Sequence, residues 1–395
     1  MHAASPTLHF SRAEYAERLD ATRIAMEAKG LDALVSVDPS NMAWLTGYDG
    51  WSFYVPQCVV VGPDGDPFWF GRGMDAPGAA RTTYLADADI VPYPDRYVMS
   101  DERHPMDYLA GVLAGRGCGQ GRVGVEMDNY YYSARAHASL DAHLPDAELV
   151  DATGLVNWCR IVKSPTEVDF MRVSARIVEK MHEQIVEVME PGVRKNEVVA
   201  EIYRTGIIGV DGHGGDYPAI VPLTPTGIDA AAAHLTWDDK PLELGAGTFF
   251  EIAGVFHRYH VPQSRTVYLG TPPQHFFDAE TALVDSIAAG LDAARPGATC
   301  HDMHRAFINE LRSHGFDKES RAGYSIGLSY PPDWGERNLS IREGDLTELR
   351  PGMTIHFMPA LWQDDWGLEI TEPILITDSG AEPLCTTPRQ LFVKE

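Results

Sequence analysis

The chain has 395 residues, 44% of them hydrophobic and 23% charged, and carries a net charge of −25. That length exceeds one ordinary hydrophobic core and points to two domains, while the acidity repels nucleic acid and anionic membranes, so neither is expected as a partner. No apolar run approaches the roughly 20 residues needed to cross a bilayer.

The opening segment, MHAASPTLHFSRAEYAERLD, lacks a basic region followed by an apolar stretch, so no secretory signal is expected and the protein is placed in the cytoplasm. The five cysteines, Cys58, Cys118, Cys159, Cys300 and Cys385, show neither CxxC nor zinc spacing and are expected to be reduced. SRAEYAERLDATRIAMEAKG repeats apolar residues at helical spacing and stops at Gly30. LDALVSV reads as a buried strand. An aromatic stretch, NMAWLTGYDGWSFYVPQCVVVG, runs as a loop into a second strand, and PFWFG and RVGVEM follow as further strands. The alternation is that of an α/β domain spanning residues 1–160.

A boundary is read near KSPTEVDFMRVSARIVEKMHEQIVEVMEPG. Ser164, Pro165 and Glu167 form a helix start with a capping box. Val168, Met171, Ala175, Val178 and Ile185 make one apolar stripe with the packing residue His182 at its edge. Beyond it the chain turns strand-rich: IVPLTP, GTFFEIAG, HRYHVPQSRTVYLG, MTIHFMPAL and GLEITEPILIT, interrupted by helices near 274–294 and 301–314. Strands grouped apart from helices give an α+β second domain, 161–395. Within GTFFEIAG a single carboxylate, Glu251, stands in an apolar strand. A buried, unpaired carboxylate costs several kcal/mol, so it is kept only with a partner or a task.

KSPTEVDFMRVSARI, AHLTW, SRTVYLG, GYSIGL, LRPGMTIHFMPA and GLEITEPILIT occur in an order and spacing that resembles the pita-bread hydrolases, the superfamily of methionine aminopeptidases, Xaa-Pro aminopeptidases, prolidases and creatinase. The first domain resembles the smaller domain of the prolidase and creatinase branch. Metallopeptidases of this superfamily hold two metal ions with two Asp, one His and two Glu. The resemblance places those five positions at Glu251, Pro262, Tyr324, Met358 and Thr371. Four of these replace the metal ligand with a residue that does not do its work, so no catalytic metal and no other cofactor is expected.

WLTGYDGWSFYVPQ, RHPMDYL, AHLTW, HVPQSRT and GYSIGLSYPPDWGE look most like the ectoine hydrolases, a metal-independent branch. The resemblance implies a small zwitterionic substrate, ectoine, whose cyclic amidine is opened to N-acetyl-L-2,4-diaminobutyrate, the Nα isomer; 5-hydroxyectoine is left open as a second substrate. An amidinium pairs with a carboxylate through two parallel hydrogen bonds, which gives Glu251 its missing partner. Glu251 acts as nucleophile or as general base, alternatives the sequence leaves open. His234 is assigned to proton transfer. Tyr324 is a third catalytic candidate, its hydroxyl bonding the substrate or Glu251, with filling of the vacated metal volume as the alternative.

Tyr48, Trp51 and Phe53 of the aromatic stretch 44–54, with His260, His356 and Trp362, are the expected substrate-binding residues. In the creatinase branch the matching loop reaches the partner subunit's active site, so a homodimer is expected. Phe53 matches a substrate-contacting Phe there, whereas creatinase's neighbouring Arg falls at Val55, which disfavours creatine. Trp334, Trp362 and Trp366 are candidates for an aromatic box around the cation. Arg265 is expected to make a structural ion pair, and only one of Glu369 and Glu372 can face the site. The rival readings are a creatinase-like hydrolase of another amidine or guanidine, and a catalytically silent peptide-binding module.

Overall fold

A computed structural model of the chain describes residues 6–395. Residues 1–5, which open the segment read as lacking a secretory signal, lie outside the described residues. The chain forms two compact units, one up to Arg160 and one from Ile161 onward.

In the first unit the helix Arg12–Ala28 starts where the Ser11 hydroxyl accepts the Glu14 N–H at 3.1 Å. It ends at the left-handed Gly30, φ +63°. Tyr15, Leu19 and Met26 are on its buried side. The strand Ala33–Ser36 is central to a six-stranded mixed sheet. It runs antiparallel to Cys58–Val61 and parallel to Gly121–Val125, which continues to Ala147–Asp151. Phe68–Arg72 and Ile90–Tyr93 extend the other side. Leu109, Leu113 and Leu140 from two helices share a core with Val35, Val60 and Phe70.

The aromatic stretch is not one loop. Pro39–Thr46 is a helix capped by Asp38 and closed by Gly47 at φ +85°. Tyr48 is buried within this unit. Its hydroxyl bonds Ser52 Oγ at 2.8 Å and Gln57 Oε1 at 3.0 Å, and its ring packs on Trp69. The expectation that Tyr48 binds substrate is therefore corrected: it is a core residue. Trp51 is exposed and packs at a tilt on Phe53, ring centres 4.7 Å apart, and Phe53 meets Tyr131 at 5.6 Å.

In the second unit the helix Pro165–Val188 begins with the capping box read from sequence. Ser164 Oγ accepts the Glu167 N–H at 3.3 Å and Glu167 Oε2 accepts the Ser164 N–H at 2.8 Å. Met171, Ala175, Val178, His182 and Ile185 are buried along it. The helix Lys195–Ile208 was not read from sequence; its N-cap is Arg194, so it lacks the usual Ser, Thr, Asp or Asn start signal. Gln274–Ala293 and Cys300–Ser313 lie where expected. They pack over the sheet through Leu283, Ile287, Met303 and Phe307 against Ile355 and Phe357.

The unit's eight-stranded sheet runs in the order Gly380–Pro383, Glu372–Thr377, Thr354–Phe357, Gly323–Tyr330, Tyr259–Leu269, Phe392–Lys394. Ala246–Phe256 pairs with Tyr259–Leu269, and Asp333–Ser340 with Gly323–Tyr330. The first of these pairs is a hairpin closed by His257 and Arg258, both at positive φ (+50° and +65°), the tight turn whose twist matches the strands. IVPLTP, expected as a strand, is irregular. Pro222 and Pro225 remove backbone donors, leaving a single bridge in which Leu223 and Glu251 exchange N–H···O bonds at 3.1 Å each. That bridge lays residues 220–223 beside the middle of the hairpin.

Candidate active site

The hairpin, the bridge and the strand Gly323–Tyr330 surround a cavity of about 440 Å³ in the second unit. Glu251, Tyr324, Met358 and Trp362 line it, with Ile220 and Leu223 as apolar wall and His234, Arg321 and Asp333 as further polar lining.

Glu251 is 5% exposed. Among the described residues no protein donor lies within hydrogen-bond distance of its carboxylate oxygens. Burial holds its carboxyl well above the usual carboxylate range; Glu369 and Asp333 push the same way and Lys318 opposes them. Glu369, fully buried, accepts the Trp362 indole N–H at 2.9 Å. Burial raises its carboxyl to about 7 against the pull of Ser264, Trp362 and Lys318. The Lys318 ammonium stands 4.0 Å from the centre of the Trp362 ring. Burial brings it down to about 8, while Glu369 and Glu251 hold it up. Two buried carboxylates thus share one buried ammonium, which leaves one negative charge uncompensated when all three ionise.

These facts answer the question of the two strand glutamates. Glu369 is part of the compartment behind Trp362. Glu372 points to Arg265, whose guanidinium it binds at 2.5 Å. The aromatic box does not form: the protein's own Lys318 takes a face of Trp362, Trp334 is buried behind Tyr324, and Trp366 packs on Phe276 and His275.

Tyr324 Oη accepts the Trp334 indole N–H at 2.8 Å and lies 3.1 Å from His356 Nδ1. His356 is fully buried and does not line the cavity, so its assignment to substrate is corrected. It is on the far side of Tyr324, with Nε2 at 2.8 Å from Thr371 Oγ1. Burial, with Arg321 and Arg265 nearby, depresses it to about 3, so it is neutral. The same correction applies to His260. Its Nδ1 donates to the Arg258 carbonyl at 2.8 Å and its Nε2 accepts the Ala219 N–H at 2.8 Å, so both ring nitrogens are occupied inside the fold. His234 is exposed, in the turn after the short helix Gly227–Ala231, and no hydrogen bond holds its ring among the described residues. Sequence reasoning missed Arg321, Asp333 and Lys318.

A model of metallopeptidase family M24 matches residues 169–378, and one of the creatinase/prolidase N-terminal domain matches residues 18–162. The chain belongs to metallopeptidase family M24. Its second unit is the pita-bread domain of that family, and its first the α/β domain of the creatinase and prolidase branch. It is 58% identical over 395 residues to the ectoine hydrolase of Halomonas elongata, covering 98% of this chain and 99% of that protein. It is also 43% identical over 389 residues to an uncharacterised hydrolase/peptidase of Sinorhizobium fredii, covering 98% and 99%. Among solved structures, dipeptidase PepE from Mycobacterium ulcerans superposes with a TM-score of 0.80 at 23% identity, over 97% of this chain and 99% of that one. The prolidase of Pyrococcus horikoshii gives 0.80 at 19%, over 95% and 100%. These two likenesses establish the fold.

The family name implies metal, and the M24 positions of this chain do not fit it. Pro262, opposite Ala253 in the hairpin, has no side-chain donor. Met358 offers a thioether to the cavity. Tyr324 and Thr371 spend their oxygens on Trp334, His356 and the Ser264 N–H. Glu251 alone remains, and one carboxylate does not build the oxygen-rich cage that a pair of hard divalent ions requires.

Proposed function

We propose that this M24 member hydrolyses ectoine without a metal ion, and that Glu251 carries the reaction. The observation behind this is a buried carboxylate facing a cavity, with no protein donor on its oxygens among the described residues. A cyclic amidinium supplies the cation and one N–H donor; its two N–H groups point apart on either side of the methyl-bearing carbon, so the two parallel bonds expected from sequence give way to one charge-assisted bond. The ectoine hydrolase relative at 58% identity supports the same substrate.

Opening the ring adds water across the amidine carbon and breaks one of its C–N bonds. Glu251 either attacks that carbon, forming an ester-like adduct that water then cleaves, or takes a proton from the attacking water. His234, free to turn at the cavity wall, gives the departing nitrogen its proton. The product is N-acetyl-L-2,4-diaminobutyrate, the Nα isomer. Arg321 receives the substrate carboxylate. Its guanidinium lines the cavity, stacked 4.4 Å from the Tyr324 ring centre and tied to Ser340 Oγ at 3.3 Å. Replacing it with Met is expected to raise KM roughly 10- to 100-fold, the loss of a charge-assisted pair, with a smaller change in kcat; steady-state kinetics check this.

The acid limb of the pH–rate profile follows from Glu251. Its anion is the active form and its carboxyl is raised. So kcat/KM falls with falling pH at a value above the ordinary carboxylate pKa of roughly 4.3. Lys318→Met removes the cation that favours the anion and is expected to move this limb to still higher pH. The linkage to stability has the matching sign: a carboxyl raised in the folded state favours folding below its unfolded pKa. That contribution is lost as pH rises through the folded value.

The working protein in this reading is a cytoplasmic homodimer, with the exposed Trp51 and its neighbour Phe53 completing the partner's cavity; light scattering reads the dimer. The substrate is tested by NMR of ectoine, creatine and a Xaa-Pro dipeptide with the purified protein. Loss of the ectoine amidine signal alone is the expected result. Turnover of creatine or the dipeptide in its place, or of none, would overturn the proposal, the last outcome favouring a silent binding module.

A further inference from the structure

Tyr324 and Thr371 occupy two of the positions where M24 relatives keep metal ligands, and His356 joins them. The strand register sets the three in a row. His356 is directly opposite Tyr324 on one neighbouring strand and opposite Pro373 on the other, two residues from Thr371. The result is a chain of four bonds: Ser264 N–H to Thr371 Oγ1 at 2.7 Å, Thr371 Oγ1 to His356 Nε2 at 2.8 Å, His356 Nδ1 to Tyr324 Oη at 3.1 Å, and Trp334 Nε1–H to Tyr324 Oη at 2.8 Å.

The two ends of this chain have fixed direction. A backbone N–H and an indole N–H only donate, so Thr371 Oγ1 and Tyr324 Oη are each acceptors from the start. His356 is neutral and carries one ring proton. If that proton is on Nε2, Thr371 accepts twice and its own buried hydroxyl proton has no acceptor among the described residues. If it is on Nδ1, Thr371 donates to Nε2 and His356 donates to Tyr324. Tyr324 then accepts twice, and its own proton is left over. Tyr324 is also the member of the chain that lines the cavity, so that proton meets an acceptor there and none is stranded.

We infer that His356 is held as the Nδ1–H tautomer and is a positioning residue that makes the Tyr324 hydroxyl an obligate donor into the cavity. Its target is the substrate nitrogen that gains a lone pair when the amidine carbon is attacked. Burial and the neighbouring Glu251 keep the phenol protonated, as a donor requires. Four side-chain groups and one backbone amide thus replace a metal's electrophilic pull with a single aimed O–H. The catalytic half of this inference rests on the function proposed above; the tautomer does not.

Nitrogen-15 NMR of protein labelled at histidine reads the tautomer whether or not ectoine is turned over, with His356 assigned by its loss in His356→Gln and by its perturbation in Tyr324→Phe and Thr371→Val. The expected signals are a protonated Nδ1 and a bare Nε2; an Nε2–H ring or an imidazolium would overturn the inference. Kinetics separate the roles. His356→Gln keeps an amide near Nε2 but none at Nδ1, and is expected to lower kcat about tenfold or more, as losing an aimed donor does, with KM nearly unchanged. His356→Asn returns an N–H near Nδ1 and is expected to recover part of that loss. The double variant with Tyr324→Phe is expected to be no slower than Tyr324→Phe alone. Fully additive losses, or a wild-type kcat in His356→Gln, would remove the positioning role. Absence of ectoine turnover in the unaltered protein would instead sink the proposed function, and the NMR result would still decide the tautomer.

Discussion

Glu251→Gln is expected to reduce ectoine turnover by about a thousandfold or more while the protein stays folded. The amide has nearly the shape of the carboxyl, and burial already pushes the carboxyl toward its neutral form. The substitution therefore removes a group that burial disfavours, and thermal stability is expected to hold or rise slightly. Two things are lost on the chemical side. The amide is neither a nucleophile nor a base, and it brings no negative charge to pair with the amidinium. Substrate affinity falls along with kcat. Circular dichroism and a melting curve establish the fold; the rate is read by NMR of the amidine. A near-normal rate would take Glu251 out of the mechanism.

The second large effect concerns stability. Arg265 is 1% exposed and uses all five of its N–H donors. Nε bonds the Pro388 carbonyl at 2.8 Å. Nη1 bonds the Ser264 and Thr371 carbonyls at 2.9 and 2.5 Å, and Nη2 bonds Glu372 and the Thr387 carbonyl at 2.5 and 2.9 Å. One side chain thereby ties the hairpin strand to the strand carrying Glu372 and to the segment 387–388. Arg265→Met leaves four carbonyls without this donor and Glu372 with Arg389 as its remaining cation, 3.3 Å away. Breaking a buried pair from one side costs about 3–5 kcal/mol, and denaturant titration is expected to show a loss of that size. Thr371 sits on the same bonds, so the hydrogen-bond chain to Tyr324 loosens with it. A loss below about 1 kcal/mol would mean that water replaces the guanidinium freely.

The parts of the fold that announce themselves locally were legible in the sequence. The capping box at Ser164 and Glu167 is a contact between residues three apart. The hairpin was readable as two strand-like runs, but His257 and Arg258, read as the start of the second strand, form its turn. Glu251 stood out because a carboxylate in an apolar strand is chemically conspicuous. The errors came where burial decides and sequence spacing does not. His260 and His356 have the same side chain as His234, yet two are sealed by hydrogen bonds on both nitrogens and one is open to the cavity. Tyr48 lies in a run of aromatics whose members face different ways once Gly47 turns the chain. Lys318 sits in GFDKESRAG, which reads as a solvated charged loop; only the fold brings Trp362 under its ammonium. Arg321 follows three residues later and was hidden for the same reason.

Ectoine turnover by protein stripped of metal with a strong chelator, its metal content checked by mass spectrometry, bears most directly on the claim that one carboxylate does the work of a lost metal pair. The account requires the stripped protein to open the amidine as fast as the untreated protein, with no gain from added manganese or zinc. A rate that vanishes on stripping and returns with a divalent ion would contradict it.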